Sequence, residues 1–133
     1  TVVVFGLGPI GQMCARIARQ RGASLVLAVE PVEERRRMAE RHGIETVPWE
    51  SPEQVTDVVR QRTHGRGPDA AIDAVGMEAH GSAPTALLQR MAGILPDPLA
   101  RKVVETMGMD RLQALTCAID VVRRGGTVSI IGV

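Results

Sequence analysis

Apolar positions recur along this chain in two alternating rhythms. Short runs of valine, isoleucine and leucine, too continuous for a half-exposed strand, read as strands buried on both faces. Between them, apolar residues spaced three and four apart read as helices. Thr1 to Phe5 is the first strand run. A helix follows from about Pro9 to Gln20, with Ile10, Cys14 and Ile17 as its apolar stripe and Ala15 and Ala18 small enough for close sheet contact. Gly22 closes it. Ser24 to Val29 is the second strand, and Pro31 stands at a first helical position for a helix reaching about Arg41. The charged run Glu33 to Arg37 on that helix reads mostly as a solvated face. Gly43 ends it, and Ile44 to Val47 makes a short third strand.

Ser51-Pro52 opens a third helix, with Val55, Val58, Val59 and Arg62 spaced for one face. His64 to Pro68 is a loop, and Asp69 to Val75 a fourth strand stopped by Gly76. Leu112, Leu115, Ile119 and Val122 mark a last helix, which Gly125-Gly126 terminates before a fifth strand, Thr127 to Val133. Strand and helix alternate throughout. The expectation is an α/β fold with a doubly wound parallel sheet of about five strands, joined by right-handed crossovers. The segment from about Met77 to Met109 is too long for one crossover. Ser82-Ala83-Pro84 and Asp97-Pro98 each resemble a helix start, so it reads as a helical insertion at the carboxyl end of the fourth strand.

Composition narrows the class. The 133 residues suit one domain, and 44% hydrophobic content suffices for a core. The chain opens and closes inside predicted strands, which reads as a domain cut from a longer polypeptide. A net charge of +1 gives no footprint for nucleic acid. Phe5 and Trp49 are the only aromatics, too few for base-stacking platforms. No apolar run reaches the length of a membrane span, and no signal peptide is visible. Two cysteines in predicted helices, Cys14 and Cys117, suit a reducing compartment, so a cytoplasmic location is expected.

The chemistry concentrates at the first strand's end. Gly6-x-Gly8-x-x-Gly11 stands between a strand and a helix, the setting in which this glycine pattern binds a dinucleotide. Gly6 permits the tight turn, Gly8 a close approach of backbone to pyrophosphate, and Gly11 close packing of the helix. The helix N-terminus adds free N–H groups and partial positive charge. Glu30 closes the second strand nineteen residues after Gly11, near the spacing expected of the acid that accepts from the ribose hydroxyls of NAD. An ordinary βαβ unit with a structural glycine turn is the competing reading.

Three blocks carry a family resemblance: Gly6-Leu7-Gly8-Pro9-Ile10-Gly11, Pro68 to Gly76, and Arg123 to Val133. In this order they resemble the zinc-dependent alcohol dehydrogenases of the medium-chain dehydrogenase/reductase superfamily. Asp73 to Gly81 with the insertion is most similar to the formaldehyde-dehydrogenase-like branch. The resemblance implies a Rossmann domain whose cofactor site includes Gly6, Gly8, Pro9, Ile10 and Gly11 at the turn. It implies Glu30 on both adenosine ribose hydroxyls and Arg35 beside them, although a solvated helix charge explains Arg35 equally well. Ala74, Val75 and Gly76 would line the adenine side, with plain core packing as the other reading of Val75. Ile131, Gly132 and Val133 would meet the nicotinamide.

The family's catalytic zinc ligands have no counterpart in this sequence. His42, His64 and His80 are far apart, and two distant cysteines make no metal spacing. No catalytic or metal residue is assigned. The resemblance implies a domain that binds and orients NAD for an enzyme acting on a small alcohol or aldehyde. The zinc would be supplied elsewhere, and the enzyme would be a homo-oligomer. This fragment alone would be inactive. Two other readings share the glycine turn: an NAD-sensing regulatory module, which would not need the block ending at Val133, and a methyltransferase, whose turn usually has another spacing and lacks the proline.

Overall fold

The structure is a computed structural model, described over residues 1–76 and 112–131. The expected insertion, Gly132 and Val133 lie outside the described residues. In chain order the elements are β1 Val2–Phe5, α1 Pro9–Gln20, β2 Val26–Val29, α2 Glu33–Glu40, β3 Glu45–Val47, α3 Pro52–Arg62 and β4 Ala70–Asp73. A fourth helix, α4, covers 112–121, and β5 spans Thr127–Ile130. The strands form one sheet in the order β3-β2-β1-β4-β5, with every neighbouring pair parallel. This is the expected doubly wound α/β sheet.

Side chains alternate across the strands and so build two cores. Val3 and Phe5 join Leu27, Val29 and Ala71 under α3 and α4, which contribute Val55, Val59, Cys117, Ala118 and Val121. Val4, Val26 and Ala28 point to the other face, where α1 and α2 supply Ala15 and Ala39. The unbroken apolar strands thus follow from burial on both sides.

On two helices part of the expected apolar stripe turns outward. On α1 the buried residues are Gly11, Gln12 and Ala15, with Cys14 and Ala18 partly buried. Ile10 and Ile17, taken from sequence as the core stripe, are about half exposed, at 53% and 47%. On α4, Ala114, Cys117, Ala118 and Val121 are buried, while Leu112 and Ile119 are 64% and 55% exposed. The reason is common to both helices. A helix axis approaches a sheet closely only where the facing side chains are small. Hydrophobicity alone selects the larger residues, and here those look outward.

Other boundaries shift by a few residues. β2 begins at Val26, β4 is confined to Ala70–Asp73, and β5 to Thr127–Ile130. Helix α2 begins at Glu33 with Val32 as its N-cap, so Pro31 precedes the helix. Helix α3 starts as expected: Ser51 Oγ accepts from the Gln54 N–H at 3.2 Å, with Pro52 in the first turn. Arg62, expected on the buried face with Val55, instead pairs with Glu45 at the surface. At the amino edge of the sheet, Asp69 accepts from Arg123 Nε at 2.7 Å, with Arg66 nearby.

Candidate functional site

The opposite, carboxyl edge gathers most of the residues singled out by sequence. Each strand's successor is pinned to its neighbour. The Gly6 N–H donates to Val29 O at 2.8 Å, Ala74 to Phe5 O at 2.8 Å, Glu30 to Val47 O at 3.1 Å and Ile131 to Asp73 O at 2.8 Å. Gly6, Glu30, Ala74 and Ile131 therefore sit in one row. From β1 the chain crosses to β2 on one side, whereas β4 lies on the other. The crevice between β1 and β4 is thus the topological switch point, where open α/β sheets bind their ligands.

The three glycines of the turn differ in what surrounds them. Gly6 has φ +85°, and a Cβ there would come within 3.1 Å of Ala74 O and Val75 Cγ2. A Cβ on Gly11 would lie 1.8 Å from Gly6 O, so the helix start and the turn touch backbone to backbone. Gly8 is otherwise: among the described residues a Cβ would meet nothing within 4 Å, and its φ of −65° and ψ of −175° suit any residue. Protein packing explains Gly6 and Gly11 and leaves Gly8 unexplained. The open space lies at the N-cap of α1, whose first-turn N–H groups have no carbonyl one turn back. An anion fits there.

Glu30 is buried, 2% exposed, yet its carboxylate has partners. Oε2 accepts from the Leu7 N–H at 2.7 Å and Oε1 from the Val32 N–H at 3.0 Å. One oxygen thus braces the glycine turn, and the other shapes the passage from β2 into α2. A carboxylate has about four acceptor sites, so capacity remains for hydroxyl donors. Arg35 Nη1 stands 3.8 Å from Oε2, with its side chain 30% exposed. The following arginines are engaged elsewhere. Arg36 Nη1 donates to the carbonyls of Glu30 and Pro31 at 2.8 and 2.6 Å, and Arg37 forms an ion pair with Glu33 on the surface. The structure thus separates Arg35 from its neighbours in a run that sequence alone left uniform.

Sequence reasoning missed Gln12. It is 8% exposed, and its Nε2 donates to Arg35 O at 2.8 Å and to Leu7 O at 3.4 Å. The available signal was its position, a polar residue between Gly11 and Ala15 on the face that meets the sheet. Pro9 and Ile10 are exposed at the turn, and Ala74, Val75 and Gly76 are half-buried beyond β4. Ile131 is 39% exposed beyond β5, one strand further from the turn.

Residues 9–90, more than half of the chain, match the profile of the zinc-binding dehydrogenases. The chain belongs to that family. It is 35% identical over 69 residues to an L-threonine 3-dehydrogenase of Caldanaerobacter subterraneus subsp. tengcongensis, an overlap of 52% of this chain and 20% of that protein. It is 50% identical over 42 residues to the D-guloside 3-dehydrogenase of Escherichia coli, covering 32% of this chain and 12% of that one. Among solved structures, an alcohol dehydrogenase from Thermus sp. ATN1 matches with 30% identity and a TM-score of 0.65, over 99% of this chain and 28% of that one. The 2R,3R-butanediol dehydrogenase from Bacillus subtilis matches with 26% identity and a TM-score of 0.67, over 100% and 28%. The chain thus spans about a fifth of the threonine dehydrogenase and under a third of these two structures.

For a zinc-binding dehydrogenase, the metal ligands are the next question. Among the described residues, no three His, Cys, Asp or Glu side chains group where they could hold a metal ion. These residues do not fit zinc. Cys117 is buried under α3, its Sγ 3.6 Å from Thr56 Oγ1, and burial pushes its thiol up. It behaves as a small core residue. His80 and the block that resembles the formaldehyde-dehydrogenase-like branch from Met77 onward lie outside the described residues. Among the described residues no helix is long and apolar enough to cross a membrane.

Proposed function

We propose that this chain is the NAD-binding part of a zinc-dependent oxidoreductase acting on a small alcohol or aldehyde. The observation that carries the reading is Gly8, where no described residue would meet an added Cβ, set at a helix N-terminus beside a buried carboxylate. The pyrophosphate would lie on the turn of Gly6, Gly8, Pro9, Ile10 and Gly11. The adenosine ribose would use the remaining acceptor capacity of Glu30, with Arg35 alongside. Ala74, Val75 and Gly76 would border the adenine, and Ile131, Gly132 and Val133 the nicotinamide. When bound, NAD supplies the hydride acceptor, and this chain's own work is to hold and aim it. Zinc and the pocket walls would come from residues outside this chain, which would then be inactive alone. The relatives and neighbours named above are dehydrogenases, which supports an oxidoreductase over an NAD-sensing regulatory module. Nucleic acid and membrane have no part in this reading, in which the whole enzyme is a cytoplasmic homo-oligomer.

Cofactor choice follows from Glu30. A 2′-phosphate would stand against its carboxylate, and like charges about 4 Å apart cost roughly 1 kcal/mol in water and about 4 near a protein surface. Arg35 faces that carboxylate and could offset this, while Arg36 is held by the Glu30 and Pro31 carbonyls and Arg37 by Glu33. Calorimetric titration of the chain should therefore give NAD binding at least about tenfold tighter than NADP. Equal or tighter NADP binding overturns the preference, and binding of neither overturns the cofactor reading.

A further inference from the structure

The peptide groups on either side of Leu7, in the middle of the glycine turn, are both held from inside the protein. The Leu7 N–H donates to Glu30 Oε2, and the Leu7 carbonyl accepts from Gln12 Nε2. A trans peptide is planar, with its carbonyl and N–H pointing in opposite directions. Drawing the Leu7 carbonyl toward Gln12 therefore turns the next N–H, that of Gly8, the other way. Gly8 is the glycine of the turn at which an added Cβ would meet nothing within 4 Å among the described residues.

Gln12 is poorly explained as a stabilising residue. Its Oε1 is buried with no hydrogen-bond partner, and a buried amide with half its capacity unused is unfavourable relative to an apolar side chain of the same size. Its other half does two things at once. The shorter bond, 2.8 Å to Arg35 O, ties the start of α1 to α2. The longer bond, 3.4 Å to Leu7 O, sets the turn. Helix α2 also carries Arg35, whose Nη1 is 3.8 Å from the Glu30 carboxylate.

We infer that Gln12 is a positioning residue for the pyrophosphate: it aims the Gly8 N–H at the phosphate and couples the turn to the ribose end of the site. This rests on the cofactor reading above. Gln12→Met keeps the volume and removes the donor. In the 133-residue chain, its thermal midpoint should stay within a few degrees of the parent's, since the lost bonds to Arg35 O and Leu7 O offset relief of the unpaired Oε1. Its affinity for NAD should fall about tenfold, and its affinity for adenosine, which has no phosphate, by less than about twofold. Gln12→Lys keeps a donor toward the two carbonyls and should bind NAD within about threefold of the parent. That variant decides the matter if Gln12→Met fails to fold, and a tenfold loss in it would count against the idea. NAD affinity unchanged in Gln12→Met, or equal losses for NAD and adenosine, overturns the positioning role while leaving the cofactor reading intact. A parent chain that binds no NAD removes both.

Discussion

At the scale of single residues, the glycine turn separates stability from binding. Gly11 and Gly8 belong to the same motif, yet the structure uses them for different ends. A methyl group at Gly11 would meet Gly6 O at 1.8 Å, backbone against backbone, where nothing yields without moving the turn. Gly11→Ala should cost about 2 kcal/mol or more in chemical denaturation. Gly8→Asp should cost nothing. Its conformation suits an N-cap, aspartate is a favoured N-cap residue, and its charge complements the helix N-terminus, so the variant should match the parent or gain up to about 1 kcal/mol. Its carboxylate would occupy the seat proposed for the pyrophosphate, and NAD affinity should drop tenfold or more. A Gly8→Asp chain that binds NAD normally would place the phosphates elsewhere. Spacing made the three glycines and Glu30 legible in the sequence, because backbone geometry imposes that spacing. Gln12 was not legible. Its role depends on the carbonyls of Leu7 and Arg35, and no residue type advertises a need for its backbone oxygen to be held.

At the scale of elements, the alternation of strand and helix was readable over the described residues, and the faces of α1 and α4 only in part: Ala15 and Ala18 were read at the sheet, whereas Ile10, Ile17, Leu112 and Ile119 look outward. Val3, Val4 and Phe5 had to be strand because both neighbouring layers bury them. The helices carry two stripes each, one large and one small, and the pattern of hydrophobicity favours the large one. Contact with the sheet favours the small one. The consequence for α4 is testable. Ala118 is fully buried in the core with Cys117 and Val121, so Ala118→Leu forces new volume between helix and sheet. It should destabilise the chain by about 1–3 kcal/mol. Ile119→Ala removes far more apolar surface from the adjacent position, yet that side chain is 55% exposed. It should change stability by no more than about 0.5 kcal/mol. If the costs fell in the opposite order, Ile119 would be packed and the orientation of α4 would be wrong. The chemical counterpart is Cys117, on the same buried face, which should be alkylated far more slowly than partly buried Cys14 in the folded chain.

At the scale of the whole molecule, the described sheet ends on β5, and the two ends of the sheet are unlike. At one end, β3 is short and half-buried, and it carries Glu45 in a surface ion pair with Arg62. At the other, β5 reads Thr-Val-Ser-Ile, with Thr127, Ser129 and Ile130 exposed and Val128 packed against the core. It contains no charge, no proline and no bulge-forming glycine, the devices that usually keep an end strand from pairing. Ile130 and Ile131 add exposed apolar surface, at 55% and 39%, next to an outer edge that no other described strand pairs. Burying such surface is worth roughly 25 cal/mol per Å², so even a small patch adds appreciably to new strand pairing. Two copies pairing antiparallel about a two-fold axis would continue the sheet from one chain into the next, in the commonest oligomer symmetry. The chain should therefore show concentration-dependent dimers in light scattering after size exclusion. Ile130→Lys sets a charge on each of two edges that must approach one another, and it should shift the population back to monomer. Its fold should be unaffected, because the side chain replaced is already half in solvent. A parent chain that stays monomeric at high concentration, and behaves no differently with lysine at 130, would mean that the outer edge of β5 is covered within its own chain.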